Sequence, residues 1–147
     1  ERAMTPLDLE EARHVVVVDS SVAFKWFSSD NETRVAEAFE LLDQHETGSI
    51  LLVVPAHLPA EVLNGLRYSP LDSEDVAHSA AALSHAELVT VPLTSQLTQL
   101  AVGLAFAHDL TIHDALFPAL AVLLDAELVT ADRVQARVTE CRVRLLA

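Results

Sequence analysis

Five residues, Val15-Val16-Val17-Val18-Asp19, constrain the fold of this chain more than any other segment. A strand with one wet face alternates apolar and polar side chains. An unbroken β-branched run instead suits a strand covered on both faces, as parallel strands between helices are. The run Ile50-Leu51-Leu52-Val53-Val54, closed by Pro55, has the same character. Between the two runs, Ser20 or Ser21 can cap a helix, Val35, Phe39 and Leu42 recur at helical spacing, and Gly48 supplies a stop. That stretch reads as a bent helix or helical hairpin.

The alternation of strand and helix continues along the chain. Leu58, Val62 and Leu66 form one stripe of a helix that carries Glu61, and Tyr68 to Leu71 breaks it. Asp72 or Ser73 starts another helix, Leu88 to Val91 is a short strand, and Leu93 to His108 is a long helix. Thr111-Ile112-His113-Asp114 is a capping signature ahead of an apolar helix from Ala115 to Leu124. Glu127 to Thr130 is a strand, Asp132 opens a short helix, and Cys141 to Leu145 is the last strand.

The pattern predicts an α/β fold: one central parallel sheet of about five strands with helices on both faces. A chain of 147 residues has room for one such domain, placed at residues 14–147. Residues 1–13 read as an N-terminal extension or processing remnant. Met4 is the expected native start, so the first three residues stay outside the fold argument, and Thr5-Pro6-Leu7-Asp8 can start a short helix.

Hydrophobic residues make up 51% of the chain at a mean hydropathy of +0.31, ample for a core. No apolar run approaches the roughly 18 residues of a membrane helix, and no secretory signal is evident, so a cytoplasmic protein without membrane contact is expected. Cys141 is the sole cysteine, which excludes an intrachain disulfide and a cysteine-cluster zinc site. Lys and Arg number 9 against 22 Asp and Glu, a net charge of −13, the wrong sign for a basic nucleic-acid surface.

In open α/β sheets the functional crevice lies beyond the carboxyl ends of the strands. Asp19 and Asp132 directly follow two strands. Glu61 lies one turn into the helix after the second strand, and Asp114 lies at the start of the helix leading into the fourth, so four carboxylates can meet at one edge. Like charges so placed disfavour joint ionisation unless a cation joins them. Oxygen-only donors select hard ions, Mg²⁺ or Mn²⁺, and such ions can activate water and stabilise the leaving oxygen of a phosphodiester.

At this point the chain resembles the PIN domains, and most closely the VapC-type toxins of bacterial toxin–antitoxin pairs. The resemblance runs from Val15 to Leu145, through Val-Val-Asp19-Ser-Ser-Val-Ala, Pro59-Ala-Glu61-Val-Leu-Asn64-Gly-Leu, Thr111-Ile-His-Asp114-Ala-Leu and Leu128-Val-Thr-Ala-Asp132-Arg. Each block carries one acid in the expected order, at spacings of 61 − 19 = 42, 114 − 61 = 53 and 132 − 114 = 18 residues.

The resemblance implies a single PIN-like domain acting as an Mg²⁺- or Mn²⁺-dependent endoribonuclease. Asp19, Glu61, Asp114 and Asp132 would be its catalytic and metal-binding residues, and metal-activated water would cleave RNA, such as transfer or ribosomal RNA. It further implies a VapB-like antitoxin that inhibits the site, and a homodimer. The chain departs from the family pattern at His113, where an aromatic residue is common, at Asp109, where a helix-ending glycine is common, and between Tyr68 and Asp75, which lacks basic residues.

Each candidate also has a plainer reading. Asp19 can be a turn residue, Asp114 and Asp132 can be caps worth roughly 0.3–1 kcal/mol each, and Glu61 can be a solvated helix residue. Ser20, Ser21 and Thr130 can orient water or phosphate, or merely cap; Asn64 can support the site or face solvent. Arg133, with Lys25, Arg67 and Arg137, lies nearest the edge and can contact phosphates.

His57 and Glu61 have the i, i+4 spacing of a metal pair, though no motif supplies a second histidine. Trp26 and Phe27 can pack or stack on a base. Two other functions fit the same composition: an inactive PIN-like RNA-binding or interaction module, and a Mg²⁺-binding receiver-type signalling domain. The second needs a lysine near its last strand, and the sole lysine is Lys25. Without the four acids the charge is −13 + 4 = −9, so binding of RNA falls to metal and local cations.

Overall fold

The valine run sits where its composition requires. In the computed structural model, which describes residues 2–3 by their backbone and residues 14–147 in full, strand β2 (Val15–Val18) lies in the interior of the sheet. It pairs in parallel with β3 (Leu51–Pro55) on one side and β5 (Glu127–Thr130) on the other, with Val16 opposite Leu52 and Val17 opposite Leu128. Val16, Val17 and Val18 are 0–1% exposed, because strands flank both edges and helices cover the sheet.

β4 (Val89–Val91) continues the sheet beyond β3, and β6 (Val143–Leu145) continues it beyond β5. These five parallel strands are the expected ones. A two-residue strand, β1 (Arg2–Ala3), pairs in parallel with Val89–Thr90 at the far edge, so the sheet extends to residues that the sequence argument sets aside. The helix expected at Thr5 to Asp8 lies outside the described residues.

The full strand order is β1-β4-β3-β2-β5-β6. Counted among the five main strands, it runs 3-2-1-4-5. A receiver domain has the order 2-1-3-4-5, so that alternative is excluded by topology. The chain moves outward from β2 through β3 to β4 and then crosses back to β5, so the order reverses beside β2. A crevice therefore opens at the carboxyl ends of β2 and β5.

The bent helix expected after β2 is two helices, α1 (Ser20–Phe24) and α2 (Val35–Thr47), separated by a loop. Neither serine caps α1: Asp19 does, accepting the Val22 amide, which leaves Ser20 and Ser21 in the first turn. On α2 the buried positions are Ala38 and Leu41, whereas Phe39 is 44% exposed; the apolar stripe is rotated from the one its large residues suggest. Gly48 ends α2 in the left-handed conformation, as expected.

α3 (Leu58–Arg67) buries Leu58, Val62 and Leu66, the predicted stripe. α4 (Ser73–His85) begins with a capping box between Asp72 and Asp75. α5 (Ser95–His108) ends at Asp109, which takes the left-handed conformation (φ 54°) usually given to glycine. α6 (Ile112–Leu124) is buried continuously from Ala115 to Ala121, with Phe117 at the centre of the core. No single helix among the described residues is long and apolar enough to cross a membrane.

The short helix expected at Asp132 is instead a turn followed by one 3₁₀ turn, Gln135–Arg137. The Asp132 carboxylate accepts the Val134 amide, which satisfies the turn locally and leaves no α-helical start. Lys25, expected near phosphate, is 3% exposed; its Nζ donates to Glu32 and to the Thr33 carbonyl, fixing the loop before α2. Trp26 packs in the core and donates to the Ala38 carbonyl.

α1 and α3 meet at Gly65, where an added Cβ would stand 3.3 Å from the Phe24 ring. Gly103, on α5, faces open space. Gly65→Leu should therefore lower stability by about 1–3 kcal/mol, while Gly103→Ala should raise it by about 0.5–1 kcal/mol through helix propensity. Urea unfolding of the two variants checks the contrast.

Candidate active site

Asp19 is wholly buried at the end of β2. Ser21 Oγ donates to its Oδ1 at 2.6 Å, the Val22 amide donates to the same oxygen at 3.2 Å, and Thr130 Oγ1 donates to Oδ2 at 2.6 Å. Both hydroxyls are held from behind. The Ala131 amide donates to Ser21 Oγ at 2.9 Å, and the Asp132 amide donates to Thr130 Oγ1 at 2.9 Å. One carboxylate thus binds the end of β2 to the exit of β5. Three of its roughly four acceptor sites are used, and one on Oδ2 is spare.

Burial pushes the Asp19 carboxyl up to about 6, against the lowering effect of its three donors, and the charge of Asp132 adds to the rise. Asp114, in the first turn of α6, is also raised. Burial is the main cause, with contributions from the charges of Glu61 and Asp132 opposed by the Thr111 hydrogen bond. Thr111 caps that helix by accepting the Asp114 amide at 3.1 Å. Pro118 has no N–H to give the Asp114 carbonyl, so α6 lacks that backbone bond beside the acid.

Glu61 moves the other way. His57 Nε2, 3.2 Å from its Oε1, is the chief reason that its carboxyl lies below the ordinary value, and Ser20 Oγ donates to the same oxygen at 3.3 Å. The four predicted acids are therefore linked as a chain of electrostatic neighbours: Asp132 acts on Asp19 and Asp114, and Glu61 acts on Asp114.

The supporting residues divide. Thr130 and Ser20 contact acids as described. Asn64 is exposed and, among the described residues, bonds to none of the four. Arg133 is exposed and lines a cleft of about 460 Å³ with Ser21, Lys25, Glu32 and Ala131 beside the acidic edge. Ser21 and His57 carry more of the site than their sequence context suggests: a serine next to a cap and a histidine at a helix start are common. Cys141 is half buried, its thiol pushed up to about 11 by burial and by Glu140, hence inert.

The sequence model of the PIN domain matches residues 16–140. The chain belongs to the PIN domain family. No curated protein matches it by sequence. Solved structures with the same fold include a toxin–antitoxin complex from Klebsiella pneumoniae, with TM-score 0.65, 19% identity and coverage of 90% of this chain and 98% of that one. Another is VapBC2 from Rickettsia felis bound to a promoter DNA fragment, at 0.65, 14%, 89% and 98%. A third is VapC20 from Mycobacterium tuberculosis, described as a sarcin–ricin loop cleaving toxin, at 0.64, 16%, 86% and 98%.

PIN domains are generally divalent-metal dependent, and the donor set here suits a hard cation: four carboxylates, two of them raised partly by their neighbours' charge. As they stand, no three His, Cys, Asp or Glu side chains among the described residues converge on one point that could hold an ion. The fit is thus one of chemistry, with Asp114 and Asp132 both only partly buried.

Because the folded-state value of Asp19 is raised, its ionisation opposes folding. The contribution of its neutral form is complete below roughly pH 4 and is lost as pH rises through about 6. Asp19→Asn cannot ionise, so without metal it should gain on the wild type by up to about 3 kcal/mol between pH 4 and pH 7. Urea unfolding in EDTA measures this; a difference independent of pH would contradict the burial account.

Proposed function

We propose that this PIN domain is a VapC-like endoribonuclease toxin that hydrolyses RNA phosphodiester bonds with Mg²⁺ or Mn²⁺ and is inhibited by a cognate VapB-like antitoxin. One observation carries the reading: a buried, triply hydrogen-bonded aspartate at the sheet's switch point, with Asp132 acting on it and linking it electrostatically to Asp114 and, through Asp114, to Glu61. A structural cap needs neither full burial nor three further acids.

Asp19, Asp114, Asp132 and Glu61 would hold the cation, which when bound supplies a more acidic water and neutralises charge on the phosphodiester. Asp19 is the fixed member, oriented by Ser21, Val22 and Thr130, with one acceptor site left on Oδ2. Glu61 is kept ionised by His57 and Ser20. Arg133, which lines the adjoining cleft, would meet a phosphate of the strand.

The comparison structures support the antitoxin partner, since several are toxin–antitoxin complexes. The proposal extends this to a transfer or ribosomal RNA substrate and a cytoplasmic site of action. Val102 and Phe106 on α5 are exposed, Phe106 at 86%, and supply apolar surface for a homodimer.

Incubation of the purified protein with structured RNA should give cleavage in Mg²⁺ or Mn²⁺ and none in EDTA. Asp19→Asn and Asp114→Asn should each reduce cleavage by about 100-fold or more, with folding retained by circular dichroism. Metal-independent cutting, or full activity in either variant, would sink this reading.

A further inference from the structure

We propose that His57 is a positioning residue: it clamps the Glu61 carboxylate against the start of α6, so that Glu61 and Asp114 approach a cation as one rigid unit. The inference rests on the metal-dependent reading above, and no motif of the sequence assigns His57 this role.

His57 Nε2 lies 3.0 Å from the His113 carbonyl oxygen and 3.2 Å from Glu61 Oε1. A carbonyl has no proton to give, so Nε2 must carry the hydrogen and donate it to the His113 oxygen, with Glu61 Oε1 in close electrostatic contact beside it. The bond reaches the backbone residue next to Asp114; the ion-pair contact reaches the acid one turn along α3. A single N–H thus joins the two helices that bring Glu61 and Asp114 to the edge.

The other nitrogen shows why a histidine stands here. Nδ1 is buried and has no hydrogen-bond partner. The ring packs on Phe117 with centroids 4.9 Å apart. Packing alone would be served better by phenylalanine or leucine, which would leave no buried nitrogen unsatisfied. What only the histidine supplies is the Nε2 donor.

The same geometry excludes the zinc pair suggested by the i, i+4 spacing of His57 and Glu61. Nε2 carries the hydrogen and is turned to the His113 carbonyl, and Nδ1 is sealed in the protein, so neither nitrogen offers a lone pair to a cation at the acids. Ser20 Oγ adds a second donor to Glu61 Oε1. Among the described residues nothing donates to Oε2, which stays available to a ligand.

The test compares the full chain with His57→Phe, His57→Gln, Glu61→Gln and the double variant His57→Phe/Glu61→Gln, using Mn²⁺ as the probe. His57→Phe should keep the thermal midpoint near that of the wild type, because the ring contact survives, yet weaken Mn²⁺ binding about 10-fold by calorimetry. His57→Gln, which can still donate, should recover most of that loss. With RNA, kcat should fall while KM holds. The double variant should bind Mn²⁺ no more weakly than Glu61→Gln alone, because His57 acts through Glu61.

Wild-type Mn²⁺ affinity in His57→Phe, or additive losses in the double variant, would overturn the proposal, as would a wild type that binds no Mn²⁺. If His57→Phe fails to fold, His57→Gln decides: affinity near the wild type supports the clamp, and a 10-fold loss in a folded His57→Gln overturns it. A wild type that binds Mn²⁺ without cutting RNA overturns the nuclease reading and leaves the clamp standing on the binding data.

Discussion

The structure turns on one buried carboxylate. Asp19 is removed from water at a cost its three donors do not fully offset, since its carboxyl still sits at about 6. Those donors also organise what surrounds it. Ser21 and Thr130 each pass a bond from Asp19 to an amide of the segment leaving β5, at Ala131 and Asp132. The Thr130 carbonyl accepts the Leu146 amide, carrying the link to the chain end beyond β6. The acid therefore acts as a junction between β2 and β5 before it acts as anything chemical.

Topology then decides which other residues can share its surroundings. Because the strand order reverses beside β2, the loops after β2 and β5 part around a crevice, and the first turns of α3 and α6 carry Glu61 and Asp114. Two close contacts keep those helices in place: Gly65 against Phe24 draws α3 onto α1, and His57 against Phe117 draws it toward α6. Packing that looks remote from chemistry thereby sets the distance between Glu61 and Asp114.

Much of this was legible in the sequence where one residue type had one physical reason to be there. The valine run could hardly be anything but a doubly covered strand, and Thr111 with Asp114 specified a helix start. The four acids are expected as a set from their order, from the strand-end position of Asp19 and Asp132, and, for Glu61, mainly from the family resemblance. Ser21 was not, because its value depends on Ala131, 110 residues away. Phe39 misled because size suggests burial, while the smaller Ala38 and Leu41 fill the space beneath α2. Lys25 misled because proximity in sequence to an acid says nothing of the carbonyl at Thr33 that captures it.

The charge distribution completes the argument. A chain at −13 repels RNA at long range, and most cations among the described residues are already engaged. Lys25 is buried against Glu32, Arg34 pairs with Glu37, Arg142 lies near Asp125, and Arg144 lies near Glu127. Arg67, Arg133 and Arg137 remain without an ion pair among the described residues, and two of them follow β5 directly. Of these, Arg133 lines the cleft that Ser21 and Ala131 share beside the acidic edge. On the proposed reading, a divalent cation held by the four carboxylates would halve their negative charge, confine attraction to contact range and favour a strand that fits the crevice over nucleic acid at large.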